Sequence, residues 1–226
     1  RGRVEAGDIT RHPSASSGLD LRLAAQIPNP AQKILSSCLS ALRHQDADVM
    51  LVDCIGSDVV LSQCLDYAAH HFLLGAFDVK HVFEILAYCL DCQVKSSVLV
   101  SRVYALLAQQ TVHILCQECK QNDTTDFGKQ FLDQLPPAFV KQYTSPEIFV
   151  PVGCPACHMS GYTHHVILFE VLKMEPWFKE MLAASASLPE IRNAAVEKGF
   201  SSLEQKSIDL LLTGETSIEQ ILSIVT

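Results

Sequence analysis

Two C-x-x-C pairs, Cys116-Gln-Glu-Cys119 and Cys154-Pro-Ala-Cys157, stand thirty-four residues apart in a chain of 226. Each pair can close a tight knuckle that aims two sulfurs at one point. Two such knuckles complete a tetrahedron of thiolates, which suits zinc because its filled d shell imposes no other geometry. Four cysteines leave no open coordination position, so Cys116, Cys119, Cys154 and Cys157 would form a structural site rather than a catalytic one. Metal binding in comparable small sites stabilises the fold by roughly 10–16 kcal/mol at neutral pH. Pro155 and Gly161 fit a knuckle and its exit turn. The plainer reading is four free thiols in a reducing compartment. A third pair, Cys89-Leu-Asp-Cys92, lies in an apolar, helix-like stretch where buried free cysteine is common, and is expected in the core.

Whole-chain quantities narrow the function classes. Nine cysteines, an odd number, argue against a disulfide framework and for a reducing compartment. The net charge of −8, with no basic cluster, argues against direct nucleic-acid binding. No apolar run is long and uncharged enough to span a membrane. Arg1 to Thr10 has no apolar segment of the secretory type. An acidic surface remains compatible with docking to a membrane complex through protein contacts.

Periodicity gives the coarse architecture. Residues 1–28 read as loop, with an edge strand allowed at Leu21–Ile27. Ala31–His44 places Ile34, Leu35, Cys38, Leu39 and Leu42 at three- and four-residue steps, an amphipathic helix ended at Asp46-Ala-Asp48. Val49–Val52 is all apolar and reads as a strand buried on both faces, as does the run from Phe72 to Phe77. Helices are expected at Asp58–His70, Val79–Leu90 and Ser96–Ala108. This alternation predicts an α/β fold with a parallel, helix-covered sheet. Gln109–Leu115 leads as a strand into the first knuckle, residues 120–150 form a polar excursion, and Tyr162–Leu172 reads as one strand. Four short amphipathic segments follow Pro176: Trp177–Ala184, Leu188–Glu197, Ser202–Thr213 and Ser217–Val225. Gly199 and Gly214 sit where C-caps belong, and Ser187, Ser201 and Thr216 where N-caps belong. A small helical bundle is therefore expected to close the chain.

Several stretches together carry a resemblance to a known family. Ser40-Ala-Leu-Arg-His-Gln-Asp-Ala-Asp-Val-Met-Leu-Val52, Leu107-Ala-Gln-Gln-Thr-Val-His-Ile-Leu-Cys-Gln-Glu-Cys-Lys120, Gly153-Cys-Pro-Ala-Cys157, Gly161-Tyr162, Phe169-Glu-Val-Leu172, Gly199-Phe-Ser-Ser-Leu203 and Gly214-Glu-Thr-Ser217 are the segments concerned. They resemble the C-terminal catalytic half of the type II secretion and type IV pilus assembly ATPases, from about residue 26 onward. The resemblance implies a RecA-like core over residues 1–115, with helices on both faces of a parallel sheet. It further implies a tetracysteine zinc-knuckle insertion over 116–172 and a C-terminal helical subdomain over 173–226. Hexameric motors at the cytoplasmic face of the inner membrane are the family's setting. The implied partners are secretion or pilus machinery proteins and an ATPase-like homo- or hetero-oligomer, with a cytoplasmic location peripheral to the membrane.

The departures from the family pattern are informative. No G-x-x-x-x-G-K-[ST] loop occurs among the ten glycines; by alignment it would lie ahead of residue 1. After the Walker B strand, where the family has Gly-Glu, this chain has Asp53-Cys54. A base that positions the attacking water is worth typically 10²–10⁴-fold, and a cysteine cannot replace it in the same geometry. Asp53 keeps the chemistry to help hold Mg²⁺. The histidine box matches Phe77-Asp-Val-Lys80, so its histidine is Asp78, while His71 matches an earlier family histidine that also reads as a packed residue. Val4-Glu5-Ala6-Gly7 matches the aspartate box only at Glu5. Arginines of the family fall at Gln110, His113 and His165. These losses count against ATP and Mg²⁺ as cofactors and leave Zn²⁺ as the implied one. The expected function is a non-catalytic scaffold or regulatory component of a secretion or pilus-like machine. The alternative is the C-terminal part of an active hexameric ATPase whose Walker A lies upstream.

Other polar and aromatic residues take ordinary readings. His164 and His165 beside His158 resemble a metal site, but alternation along a strand sends neighbours to opposite faces. Trp177 is expected to pack the helical bundle onto the sheet, and Cys38 and Cys64 to be core.

Overall fold

A computed structural model describes residues 30–42, 48–135, 143 and 146–225. The candidate strand at Leu21–Ile27, Glu5, most of the break at 46–48 and part of the excursion at 136–145 lie outside the described residues. The chain divides into two compact units, one of Arg1–Val79, Phe83–Leu106 and Lys173–Asn193, the other of Lys80–Val82, Leu107–Leu172 and Ala194–Thr226.

The first unit begins with helix α1 (Pro30–Leu42), strand β1 (Val49–Val52), helix α2 (Asp58–Tyr67) and strand β2 (Phe72–Gly75). β1 and β2 pair in parallel, Val49 opposite Phe72 and Val52 opposite Gly75. The ladder runs on through Ala76 N–H to Val52 O (2.8 Å) and Ile55 N–H to Ala76 O (2.8 Å). Ser57 starts α2 by accepting from Val60 N–H at 3.3 Å, a cap of the kind worth about 1 kcal/mol. Val60, Leu61, Cys64 and Leu65 turn its apolar side inward. α3 (Val82–Asp91), α4 (Ser96–Arg102) and α6 (Pro176–Ala183) add Phe83, Ile85, Leu86, Leu99, Phe178 and Leu182 to the same core.

Two expectations are corrected in this unit. β1 and β2 are not buried on both faces: Met50 and Val52 are 2% and 1% exposed, whereas Val49 and Leu51 are 51% and 43% exposed. An all-apolar strand signals that both faces are water-averse, and here helices cover only one of them among the described residues. The helix from Ser96 stops at Arg102 rather than Ala108. Val103 leaves helical geometry at φ −93°, ψ 127°, and the Arg102 guanidinium reaches Leu65 O at 3.2 Å. Phe178, fully buried, is the anchor of α6, while Trp177 is half-buried with its Nε1–H on Glu175 at 3.1 Å.

The second unit is built on the ribbon of β3 (Ala105–Leu115) and β6 (Tyr162–Lys173). Cys116 N–H donates to Gly161 O at 2.9 Å, and Thr163 Oγ1 lies 3.5 Å from Ile114 O. One index rises as the other falls, so the strands are antiparallel. β4 (Gln121–Asn122) pairs antiparallel with β5 (Phe149–Val150), and α5 (Asp126–Gln134) lies between them in sequence. α7 (Leu188–Glu197) leads into α8 (Leu203–Leu212) and α9 (Ile218–Val225). α8 and α9 pack on each other around Ile208, Leu211, Leu212, Ile218 and Ile221, with Ile148 joining them.

Gly214 ends α8 at φ +70°, with Glu215 N–H on Leu210 O at 2.9 Å. A Cβ there would lie 2.7 Å from the Phe149 ring, so both backbone and space require glycine. The α8 N-cap is Ser202, one residue later than expected, accepting from Gln205 N–H at 3.1 Å. Thr216 does not cap α9; its hydroxyl donates to His113 O at 2.8 Å, tying the turn before α9 to β3.

Candidate metal centre

The two knuckles close on each other within the second unit. Cys116 follows the last residue of β3, and the chain then turns so that Lys120 N–H returns to Cys116 O at 3.0 Å, bringing Cys119 back. Cys154 precedes a 3-10 turn, Pro155–Cys157, that brings Cys157 back in the same way. The four sulfurs all lie within 4.8 Å of one another. Cys116–Cys154, Cys119–Cys157 and Cys154–Cys157 are separated by 3.9, 3.8 and 3.8 Å. A disulfide would need about 2.05 Å, whereas a tetrahedron with metal–sulfur bonds of about 2.3 Å has edges of about 3.8 Å. The spacing fits thiolates around one zinc-sized ion.

The backbone supports the same charge state. Gly153 N–H points at Cys119 Sγ (3.3 Å), Cys154 N–H at Cys157 Sγ (3.1 Å) and Gly161 N–H at Cys157 Sγ (3.2 Å). Burial pushes the Cys157 thiol up, but the N–H groups of Cys154 and Gly161, with the Cys154 and Cys119 thiols, outweigh it and bring it down to about 6. Cys119 moves the other way, to about 11: burial and its thiol neighbours prevail over the single Gly153 N–H. Gly153 (φ +102°) and Gly161 (φ +79°) hold conformations that glycine favours. A Cβ on Gly161 would sit 2.4 Å from Pro151 Cβ, and one on Gly153 would sit 2.7 Å from Met159 O. Cys89 and Cys92 stand apart from this cluster. Cys89 is buried in α3, with burial foremost and Cys92 second pushing its thiol to about 11. Cys64 is core as expected, whereas Cys38 is only half-buried.

The positions matching the family's nucleotide-contacting residues fall in both units. Asp53 and Cys54 lie just past β1, half-buried. Burial raises the Cys54 thiol above its usual value, and the charges of Asp78 and Asp53 raise it further. His71 stacks on Tyr67 with ring centroids 4.5 Å apart, a packing role at the start of β2. Gln110 and His113 lie on β3 and His165 on β6. His113 and His165 face each other, ring centroids 6.2 Å apart.

Comparison with known proteins accords with this arrangement. The family model described as "Type II/IV secretion system protein" matches residues 23–223. The chain belongs to that family. Its relatives include the type IV pilus assembly ATPase TfpB of Acinetobacter baylyi, 26% identical over 187 residues, 82% of this chain and 31% of that protein. Another is the putative type II secretion system protein E of Escherichia coli, 24% identical over 190 residues, 83% of this chain and 37% of that one. The chain thus spans about a third of the length of the curated relatives it matches. The crystal structure of the pilus retraction motor PilT with bound ADP matches at a TM-score of 0.54 and 12% identity, over 84% of this chain and 43% of that one. That likeness is one of fold. No helix among the described residues is long and apolar enough to cross a membrane.

Glu170 is the residue whose role the sequence did not reveal. It is 1% exposed on β6. Its Oε1 accepts from Val82 N–H at 2.6 Å and its Oε2 from Leu203 N–H at 2.9 Å. Val82 and Leu203 are the first residues of α3 and α8, so one carboxylate serves two helix N-termini. His81 Nδ1 lies 3.6 Å from the same Oε1. The only sequence signal is an acid within the apolar run Val166–Leu172, where alternation alone would let it face solvent.

Proposed function

We propose that this chain is a non-catalytic component of a type II secretion or type IV pilus-like machine, in which the family's core persists and ATP hydrolysis does not. Cys54 carries this reading. It occupies the place where the family's catalytic glutamate would follow the Walker B strand, and its thiol is held protonated by burial and by Asp78 and Asp53. A neutral thiol neither accepts a proton from water at neutral pH nor positions one as a carboxylate does.

Cys116, Cys119, Cys154 and Cys157 hold one structural Zn²⁺, supported by sulfur spacings of 3.8–3.9 Å. β1 and β2 belong to a RecA-like parallel sheet whose second apolar face, with Val49, Leu51, Phe72 and Leu74 exposed, is covered in the intact protein. The protein works at the cytoplasmic side of the inner membrane through contacts with secretion or pilus proteins, as a scaffold or regulator within an ATPase-like assembly. The zinc knuckles and apolar core keep such a subunit folded when it only binds.

The test is ATP turnover by the longest natural form, beside a Cys54→Glu variant. Absence of turnover and of nucleotide affinity in both is expected. Turnover by the natural form would overturn the proposal and point to an active ATPase with its phosphate loop upstream. Turnover by Cys54→Glu alone would mean a surviving nucleotide site whose chemistry was lost with the glutamate.

A further inference from the structure

The outer edge of β3 is open over one short window. Near the Cys116 end, His113 N–H meets Gln220 Oε1 (3.4 Å), His113 O accepts from Thr216 Oγ1 (2.8 Å) and Leu115 N–H meets Glu215 O (2.8 Å), all outside the β3–β6 ribbon. Tyr104 O and Cys116 N–H, at even positions, bond to Met174 N–H and Gly161 O on the β6 side, at 2.9 Å each. Backbone polar groups alternate in direction along a strand, so the odd-numbered residues of β3 turn theirs outward. At Leu107, Gln109 and Thr111 these groups meet nothing among the described residues, and all three residues are exposed. Among the described residues β6 is the one strand paired with β3.

Proteins guard such edges with lysine, proline, bulges or covering segments. Along β6, Lys206 Nζ already occupies Phe169 O. The β3 window has no such guard: no charged residue and no proline occurs from Val103 to Gln117. A two-stranded ribbon is marginal by itself and gains from a further strand. Here Leu107, Ile167, Phe169 and Val171 still hold apolar side chains in water.

We propose that this edge is a self-association surface, on which β3 pairs antiparallel with β3 of a second copy about a twofold axis at Gln109. In that register Leu107 faces the partner's Thr111, Gln109 faces the partner's Gln109 and Thr111 faces the partner's Leu107, each pair exchanging both N–H···O bonds. Centring the axis on Gln109 is the register that uses every open position in both copies. The next outward residue, His113, would face the partner's Ala105, but its N–H and C=O are already held by Gln220 and Thr216. The ladder therefore stops where the open window stops, in both copies by symmetry. A second copy is favoured over a charged partner because the window has no charge to complement, and identical uncharged residues meet at the axis without repulsion. The chain's net charge of −8 opposes association at longer range, so the dimer is weakest at low salt and strengthens as salt screens that repulsion. The pairing does not depend on whether the chain hydrolyses ATP.

The experiment is sedimentation velocity of the full chain, zinc-loaded, over a micromolar concentration series. Reversible monomer–dimer exchange is expected, strengthened by added sodium chloride. Gln109→Pro removes the N–H on the axis while the even-numbered residues keep the β6 ladder, and should leave monomer with an unchanged circular dichroism spectrum. Gln109→Lys and Gln109→Glu each set like charges against each other across the axis and should weaken the dimer about fivefold or more. An equimolar mixture of these two variants should restore it, because the residue faces its own copy. A chain that stays monomeric throughout, a dimer indifferent to Gln109→Lys and Gln109→Glu, or a mixture that associates no better than either variant alone would each overturn the proposal.

Discussion

Glu170 permits a quantitative test of how the second unit is held together. Its buried carboxylate accepts two backbone N–H bonds, 2.6 Å from Val82 and 2.9 Å from Leu203. Hydrogen bonds to charged groups contribute roughly 1.5–3 kcal/mol each, and a stranded buried donor costs about 1–3 kcal/mol. Glu170→Gln keeps shape and one acceptor but turns its amide NH₂ toward the second N–H, donor against donor. One charge-assisted bond is lost, and the expected destabilisation is about 2–3 kcal/mol. Glu170→Met removes both acceptors and strands two N–H groups, for about 2–5 kcal/mol; relief of the buried charge offsets part of that. With a urea slope of roughly 2 kcal/mol per molar, Glu170→Gln should lower the unfolding midpoint by about 1 M at unchanged slope. Amide exchange of Val82 and Leu203 should accelerate in both variants ahead of their neighbours. If both variants stay within about 0.5 kcal/mol of the parent, the range expected of an uninvolved surface position, or if those amides keep their protection, the reasoning fails.

The tetracysteine cluster and its turns yield further expectations. Elemental analysis should find one zinc per chain. Cys154→Ser should abolish stoichiometric zinc and lower thermal stability, and a strong chelator should unfold residues of the second unit first, as read by amide exchange. Gly161→Ala faces both its φ of +79° and the 2.4 Å approach to Pro151 Cβ. A left-handed alanine alone costs roughly 1–2 kcal/mol, so a larger loss in thermal unfolding, with weakened zinc retention, is expected; a neutral result would refute the close packing. In metal-free protein, thiolate ultraviolet absorbance should rise first near pH 6, from Cys157, with Cys119 still protonated until about pH 11. Cys157, held below the unfolded thiol value, therefore adds stability above that value that is lost as pH falls through about 6. Cys119, held above it, adds stability that is lost as pH rises toward 11.

What the sequence made legible was local spacing. A C-x-x-C knuckle is decided within four residues, so the clustering of Cys116, Cys119, Cys154 and Cys157 needed only the two ends of one ribbon to meet. Gly199 and Gly214 were readable as helix ends because left-handed geometry, φ +89° and +70°, is a property of the residue itself. Hydroxyls were less readable, since a serine or threonine has several acceptors and donors in reach: Ser202 rather than Ser201 caps α8, and Thr216 spends its proton on His113 O, 103 residues away. The apolar composition of β1 and β2 told that water is unwelcome on both faces but not what covers each, because coverage is supplied by other segments. Glu170 was the least legible of all. Its partners lie 88 and 33 residues away, and nothing in a β6 acid distinguishes a solvated carboxylate from one joining two helix starts. Cys54 follows the same division. Its identity is local and could be read at once, whereas the raised state of its thiol comes first from burial and then from Asp78 and Asp53, and burial is supplied by other segments. What a residue is can thus be read locally, whereas what it does in the fold, as at Glu170 and Cys54, is set by segments far away in the chain.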